Sequence, residues 1–311
     1  MNKKQLNTAF ALLSSIVFCF SAAGCQNAPH SHKWKNEYAY DSETHWLECG
    51  DCKEKKDVDR HALSSPSCNV CGYNFSPTEG IVYELSDDAM YATVVEYNGT
   101  DTNVIISPIH EGAPVIEIKE YAFADGNSLT NIIIPDCVQT IGKFAFEGCS
   151  SLTKLTIPSS VRSIGENAFL NCNNITELTL PFVGASIDSQ ENSHIGHLFG
   201  CDSESHQAHV PASLKRVTIT NATFIGDYAF RYCKSLAEII IPRTVTHIGY
   251  AAFYTCDSLK SIFIPSTVST IKNYAFAYCY DITIYCEAES QPHDWDPTWN
   301  YGFPVVWGSK E

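Results

Sequence analysis

The sequence predicts a repeat solenoid of about six 23-residue units, closed at both ends by caps and preceded by a small zinc-ribbon-like module. Three observations predict it. Phe123, Phe146 and Phe169, then Phe230, Phe253 and Phe276, recur every 23 residues within each run. Pro135, Pro158 and Pro181, then Pro242 and Pro265, keep the same interval, and Ile118, Ile141, Ile164, Ile225, Ile248 and Ile271 each precede a phenylalanine by five residues. Upstream, Cys49-Gly50-Asp51-Cys52 and Cys68-Asn69-Val70-Cys71 stand 15 residues apart. Several residue types on one period mark stacked units, each leaving an apolar face that only its neighbour can cover.

The chain begins with Lys3 and Lys4, an apolar run from Ala9 to Phe20, and small residues leading to Cys25. That is the anatomy of a secretory signal over residues 1–24. Its apolar core falls short of the roughly 20 residues a membrane-spanning helix needs. Ala22-Ala23-Gly24-Cys25 resembles the lipobox of bacterial lipoproteins, with Ala22 where an aliphatic residue is usual. The resemblance implies cleavage before Cys25, diacylation of its thiol, and a mature protein tethered by lipid to the extracellular face of the bacterial membrane. Two acyl chains suffice for stable anchoring where one does not. Signal cleavage without lipid is the alternative.

Thirty-five acidic residues oppose 20 basic ones, a net charge of −15, and loss of the first 24 residues removes two lysines and no acid. So acidic a surface repels phosphate backbones and anionic lipid heads, which excludes nucleic acid as a partner and leaves membrane attachment to the lipid. Hydrophobic residues make up 44% and charged ones 18%, enough to bury a core and unlike a disordered chain.

Residues 25–78 are polar and rich in His and Cys. The two Cys-x-x-Cys pairs predict one structural zinc ion held by Cys49, Cys52, Cys68 and Cys71, because each tight turn aims two thiolates at one ion and the pair of turns closes a tetrahedron. A module this small buries too little surface to fold unaided, and the metal supplies what burial does not. Two disulfides, or His61 in place of one cysteine, are alternatives. His32, Trp34, His45 and Trp46 complete a pattern that resembles modules in surface proteins of Gram-positive gut bacteria.

From residue 118 the units run over 118–181 and 214–281. Leu152-Thr153-Lys154-Leu155-Thr156-Ile157 alternates and predicts a strand that Pro158 ends. Ile164-Gly165 then predicts a far-side turn, and Ala168-Phe169 a return on one helical turn. Stacking such coils places the phenylalanines in one internal column. Cys149, Cys172, Cys233, Cys256 and Cys279, each three residues after a repeat phenylalanine, form a second column of small, buried, inert groups. The recurrence in order of Ile-Gly, Ala-Phe, Cys, Leu and Ile-Pro resembles the BspA-like leucine-rich repeats of bacterial surface proteins. That resemblance implies a leucine-rich-repeat horseshoe, β-rich α/β, with an N-terminal cap over 79–117 and a C-terminal cap over 282–311, where Trp295, Trp299 and Trp307 act as a lid. The strand-like runs around Asn98-Gly99 belong to the first cap. Between the two runs, 182–213 reads as an irregular insertion. Its His194, His197, Cys201, His206 and His209 invite a metal reading but match no common ligand template.

Proteins of this architecture bind through the strand face. Its first outward row reads Thr130, Thr153, Thr176, Lys215, Ala237 and Lys260, and its second Asn131, Lys154, Glu177, Arg216, Glu238 and Ser261. The third runs Ile133, Thr156, Thr179, Thr218, Ile240 and Phe263, with apolar groups where a solvated strand favours threonine. Phe263, Ile240, Lys260, Glu238, Arg216, Lys215 and Thr218 are therefore the candidate partner-binding residues, and β-propensity or cover by the lid is the competing explanation of the apolar pair. The resemblance implies a non-enzymatic adhesin that binds another macromolecule, a protein. An envelope subunit with a same-cell partner is the alternative, and a metal-dependent hydrolase a weaker one. No His-Glu-x-x-His helix, Gly-x-Ser-x-Gly elbow or phosphate-binding glycine loop is present.

Overall fold

The structure, a computed structural model, describes residues 34–40, 44–49, 55–60, 76–188, 193–200 and 210–310. The chain divides into two units, residues 1–62 with 67–74, and residues 63–66 with 75–311. Within the first, Trp34–Tyr40 pairs antiparallel with Thr44–Cys49, which pairs antiparallel with Lys55–Arg60. Cys49 ends the middle strand. The expected signal segment, Cys25, and Cys52, Cys68 and Cys71 of the expected zinc site lie outside the described residues, as do Cys201, His206 and His209. No described helix is long and apolar enough to cross a membrane.

The second unit is a stack of short parallel strands, a repeat solenoid. Among the described residues, nine strands follow one another along its outer face. Asn103–Ile105 pairs with Asn131–Ile133. Lys154–Thr156, Glu177–Leu180, Arg216–Ile219 and Glu238–Ile240 form one ladder, and Ser261–Ile264, Thr283–Cys286 and Val305–Val306 another. The central residue of each repeat strand, such as Leu155, Leu178 or Val217, points inward and is buried, so its two neighbours point out.

The far side of each coil differs from the expected turn. Ala113–Ile118, Thr140–Ile141 and Ser163–Ile164 form a second parallel ladder, as do Phe224–Ile225, His247–Ile248 and Thr270–Ile271. Ile-Gly is thus a strand end. Glycine follows because the coils approach closely there: a Cβ on Gly165 would lie 2.6 Å from the Gly142 carbonyl carbon. The predicted single helical turn around Ala-Phe is also replaced. Cys172 N–H bonds to the Phe169 oxygen (3.1 Å) and Leu170 N–H to the Asn167 oxygen (3.0 Å), but Asn167 and Asn171 are left-handed, both at φ 62°. Leaving the helical path frees the phenylalanine amide for the next coil. Phe146 N–H donates to Ala168 O at 2.9 Å and Phe230 N–H to Ala252 O at 2.7 Å.

The phenylalanines stack as expected. Ring centroids are 5.2 Å apart for Phe123 and Phe146, 5.7 Å for Phe146 and Phe169, 5.5 Å for Phe230 and Phe253, and 5.1 Å for Phe253 and Phe276. All are buried to 2% exposure or less, each contributing roughly 1.5–3 kcal/mol of burial before entropy is charged. Tyr97 covers the column at the N-terminal end, 5.6 Å from Phe123. Its strand, Ala92–Tyr97, forms a hairpin with Ile81–Leu85, so the strands either side of Asn98-Gly99 do not pair with each other. At the other end Trp299 abuts Phe276 (5.8 Å), and Trp295 and Trp307 pack behind it.

The insertion is one coil in expanded form, not a break in the stack. Ile164 N–H bonds to Ala185 O (2.8 Å), Gly196–Phe199 is a short buried helix, and Phe169 N–H bonds to Leu198 O (2.8 Å). Phe199 then takes the next place in the column, 6.0 Å from Phe169. Ile195-Gly196, Leu198-Phe199 and Cys201 form a shortened copy of the repeat motif.

Candidate docking surface

Stacking in register turns the outward strand residues into straight rows. In the second row opposite charges face each other: Lys154 lies 3.1 Å from Glu177, and Arg216 lies 2.7 Å from Glu238. Such exposed pairs contribute at most about 1 kcal/mol each, but they neutralise the row. In the first row threonines carry the ladder, Thr130 Oγ1 donating to Thr102 O (2.9 Å) and Thr176 Oγ1 to Thr153 O (3.0 Å). Lys215 Nζ bonds to Ala212 O (3.3 Å), and Lys260 Nζ to the Asp257 and Tyr280 oxygens (3.1 and 3.0 Å).

The third row changes character along its length. Thr156 pairs with Thr179, Thr179 with Thr218, and Thr218 with Ile240. Phe263 follows, in register with Tyr285, which is in register with Val306. Ile240 and Phe263 are half-buried, while Tyr285 and Val306 are 39% and 43% exposed. Ile240, Phe263, Tyr285, Glu238 and Lys310 line one shallow depression. The structure therefore brings Ile240 and Phe263 into one apolar stripe next to Thr218, with Arg216 and Glu238 paired alongside and Lys215 and Lys260 in the first row.

The six copies of the BspA type leucine rich repeat region match residues 105–195 and 205–287. The chain belongs to that family. Several solved structures are similar to this BspA-type repeat protein. A T. pallidum leucine rich repeat protein is 21% identical with a TM-score of 0.40, over 74% of this chain and 97% of its own. A leucine rich cell surface protein from Faecalibacterium prausnitzii A2-165 is 29% identical with a TM-score of 0.45, over 70% of this chain and 55% of its own. A leucine-rich repeat protein from Bacteroides capillosus is 23% identical with a TM-score of 0.33, over 54% of this chain and 97% of its own. No curated protein matches.

Sequence reasoning missed Tyr285 and Val306, which lie beyond the last regular repeat. The signal was present: Thr283-Ile284-Tyr285-Cys286 alternates as Ser261-Ile262-Phe263-Ile264 does, one residue short of the period. His194 and His197 of the insertion belong to its packing. His197 Nε2 lies 3.3 Å from Ile164 O, His194 Nδ1 accepts from the His197 amide (3.1 Å), and burial lowers the His197 pKa. Among the described residues, no group of three or more His, Cys, Asp or Glu is placed to hold a metal ion.

Proposed function

We propose that this BspA-type repeat protein is a lipid-anchored protein of the outer cell surface that docks a protein partner on the C-terminal half of its strand face. The observation that carries the reading is the apolar third row, where Ile240, Phe263, Tyr285 and Val306 replace the threonines of the preceding coils on strands that already satisfy their own hydrogen bonds. Large apolar groups in a solvent-facing row leave hydrophobic area exposed that threonine would not, and aromatic anchors are the groups that dominate protein docking. Crosslinking on intact cells identifies the partner and whether it comes from the same cell. Ile240→Asp and Phe263→Asp, which leave the column untouched, each weaken its capture by about tenfold or more; undiminished capture by both removes the stripe from consideration.

Anchoring rests on the signal-like segment and Cys25. Cys25→Ala shifts the protein from the detergent phase to the culture medium; retention with the membrane counts against lipidation. The N-terminal module holds one structural zinc through Cys49, Cys52, Cys68 and Cys71, a closed set with no vacant coordination position. Elemental analysis of the purified chain gives about one zinc per molecule, and a metal-free protein without free thiols there assigns the four cysteines to disulfides instead.

A further inference from the structure

The loop that follows strand Ala92–Tyr97 in the N-terminal cap carries a pair of residues whose chemistry the fold leaves unguarded. Asn98-Gly99 is the one Asn-Gly step in the chain. The carboxamide carbon of an asparagine is open to attack by the backbone nitrogen of the next residue, which a side chain on that residue hinders and glycine does not.

The electrophile is free. Asn98 is exposed, and its carboxamide has no hydrogen bond among the described residues. The carboxamides of Asn127, Asn174 and Asn300 are held instead: Asn127 Oδ1 accepts from the Ser150 hydroxyl (3.0 Å), Asn174 Nδ2 donates to Ser150 O (2.8 Å) and Asn300 Nδ2 to Phe303 O (2.9 Å). Each of those three also precedes a residue with a side chain, Ser128, Ile175 or Tyr301.

The nucleophile is free as well. Asn98 N–H donates to Gly80 O at 2.8 Å, but Gly99 N–H donates to no backbone oxygen among the described residues. Gly80, at φ 82°, leaves that nitrogen uncovered, since a Cβ there would stand 2.8 Å from it. At Asp125-Gly126, where the same attack could fall on a carboxyl, the Gly126 amide is committed to Phe123 O (3.3 Å).

The cap in turn fixes glycine at 99. The Tyr97 hydroxyl accepts the Asp101 amide at 2.9 Å, its ring packs on Phe123, and ring atoms lie 2.5–2.6 Å from where a Gly99 Cβ would stand. Any other residue there displaces the ring that closes the phenylalanine column.

We infer that Asn98 deamidates spontaneously in the folded protein and that the product loosens the N-terminal cap. The Gly99 nitrogen bonds to Asn98 Cγ, and the carboxamide nitrogen leaves as ammonia, carrying the proton that the Gly99 amide gives up. The resulting succinimide is opened by water at either carbonyl, which gives aspartate or isoaspartate and one new negative charge. In isoaspartate the main chain runs through the side-chain carbon and is longer by one methylene. The loop then no longer holds Gly99 under the Tyr97 ring or Asp101 against its hydroxyl. No residue of this site belongs to the strand-face docking surface.

Ageing the full chain in mildly alkaline buffer, with peptide mapping that separates aspartate from isoaspartate, tests it. The carboxylate forms at 98 about tenfold or more faster than at Asn127, Asn174 or Asn300. Asn98→Gln, where attack would have to close a larger ring, melts as the wild type does and slows conversion at 98 about tenfold or more. In the isoaspartate form, isolated by chromatography, the Asp101 amide exchanges with solvent about tenfold or more faster than in the unaged protein. In Asn98→Asp, which adds the charge and leaves the main chain as it was, that exchange is unchanged. The inference is overturned if the folded protein keeps Asn98 intact while a peptide of residues 94–103 converts, if Asn127 converts as fast as Asn98, or if the isoaspartate form protects the Asp101 amide as well as the unaged protein does.

Discussion

The Cys149 thiol donates to the Phe123 carbonyl oxygen of the preceding coil across 3.1 Å. The relationship repeats: Cys172 with Phe146 (3.1 Å), Cys256 with Phe230 (3.2 Å) and Cys279 with Phe253 (2.8 Å). The Phe146, Phe230 and Phe253 oxygens also accept the amide of their own coil's cysteine, as Phe230 O does from Cys233 N–H at 3.1 Å, while Phe123 O accepts from Gly126 N–H at 3.3 Å. A small side chain with one donor is what this position needs, and a thiol donates without the desolvation cost of a hydroxyl.

Removing one such thiol leaves a small void and an under-satisfied carbonyl. Cys256→Ala therefore destabilises the solenoid by about 1–2 kcal/mol, measured by urea denaturation. The thiols are also shielded. Burial and then the neighbouring Cys279 thiol push Cys256 up, the neighbouring Cys149 thiol and burial push Cys172 up, and burial alone holds Cys286 at about 12. Thiolate is the reactive form, so peptide mapping after iodoacetamide finds Cys172, Cys256 and Cys286 unlabelled in the native protein and labelled in denaturant.

Phe199 makes the expanded coil part of the load path between the two runs of repeats. Its ring is fully buried and continues the column from Phe169. Phe199→Ala costs about 3–5 kcal/mol, as much as Phe146→Ala. Were the insertion a detachable bulge, the substitution would cost less than about 1 kcal/mol, and equilibrium unfolding of both variants separates the two.

Thr255 occupies a left-handed position at φ 58°, where the third coil has Asn171 at φ 62°. A β-branched residue is poorly suited to that conformation and asparagine adopts it readily. Thr255→Asn keeps the amide that bonds to Ala277 O (2.9 Å) and raises stability by about 0.5–1 kcal/mol; Thr255→Val does not. A melting comparison of the two variants reads the sign directly.

How much of this was legible in the sequence follows from what carries the period. The phenylalanine and cysteine columns were readable because each coil must present the same group to the same neighbour, so the 23-residue interval is a packing constraint written into residue type. The second ladder was harder to see: two residues such as Thr140–Ile141 are too short to show alternation, and their pairing is set by the adjacent coil. The left-handed turns of the C-terminal coils were hidden because tyrosine, alanine and threonine occupy positions where glycine or asparagine would have announced them. Phe199 escaped because the expanded coil shifts it off the interval. On the strand face, the period exposed Ile240 and Phe263 and stopped before Tyr285 and Val306, which only the register with Phe263 brings into line.

The C-terminal cap is tied to two coils through Glu287. Its Oε2 accepts from Arg243 Nη1 at 2.5 Å and from the Ser266 hydroxyl and amide at 2.7 and 2.9 Å. The Arg243 guanidinium and the two Ser266 donors hold the carboxyl at about 2, against an ordinary 4.5. In the unfolded chain Glu287 takes up its proton near the ordinary value, while the folded protein resists until about 2, so its contribution is present above 4.5 and is lost as the pH falls through that window. Solvent screens the partly exposed pair, which limits the contribution to about 1 kcal/mol. Glu287→Gln keeps the size and removes the charge. The variant melts below the wild type at neutral pH, the difference shrinks progressively under acid, and the two curves meet near the folded-state value of about 2. A difference that stays constant across the window would mean that the carboxylate charge does not hold the cap in place and that its hydrogen-bond geometry alone does.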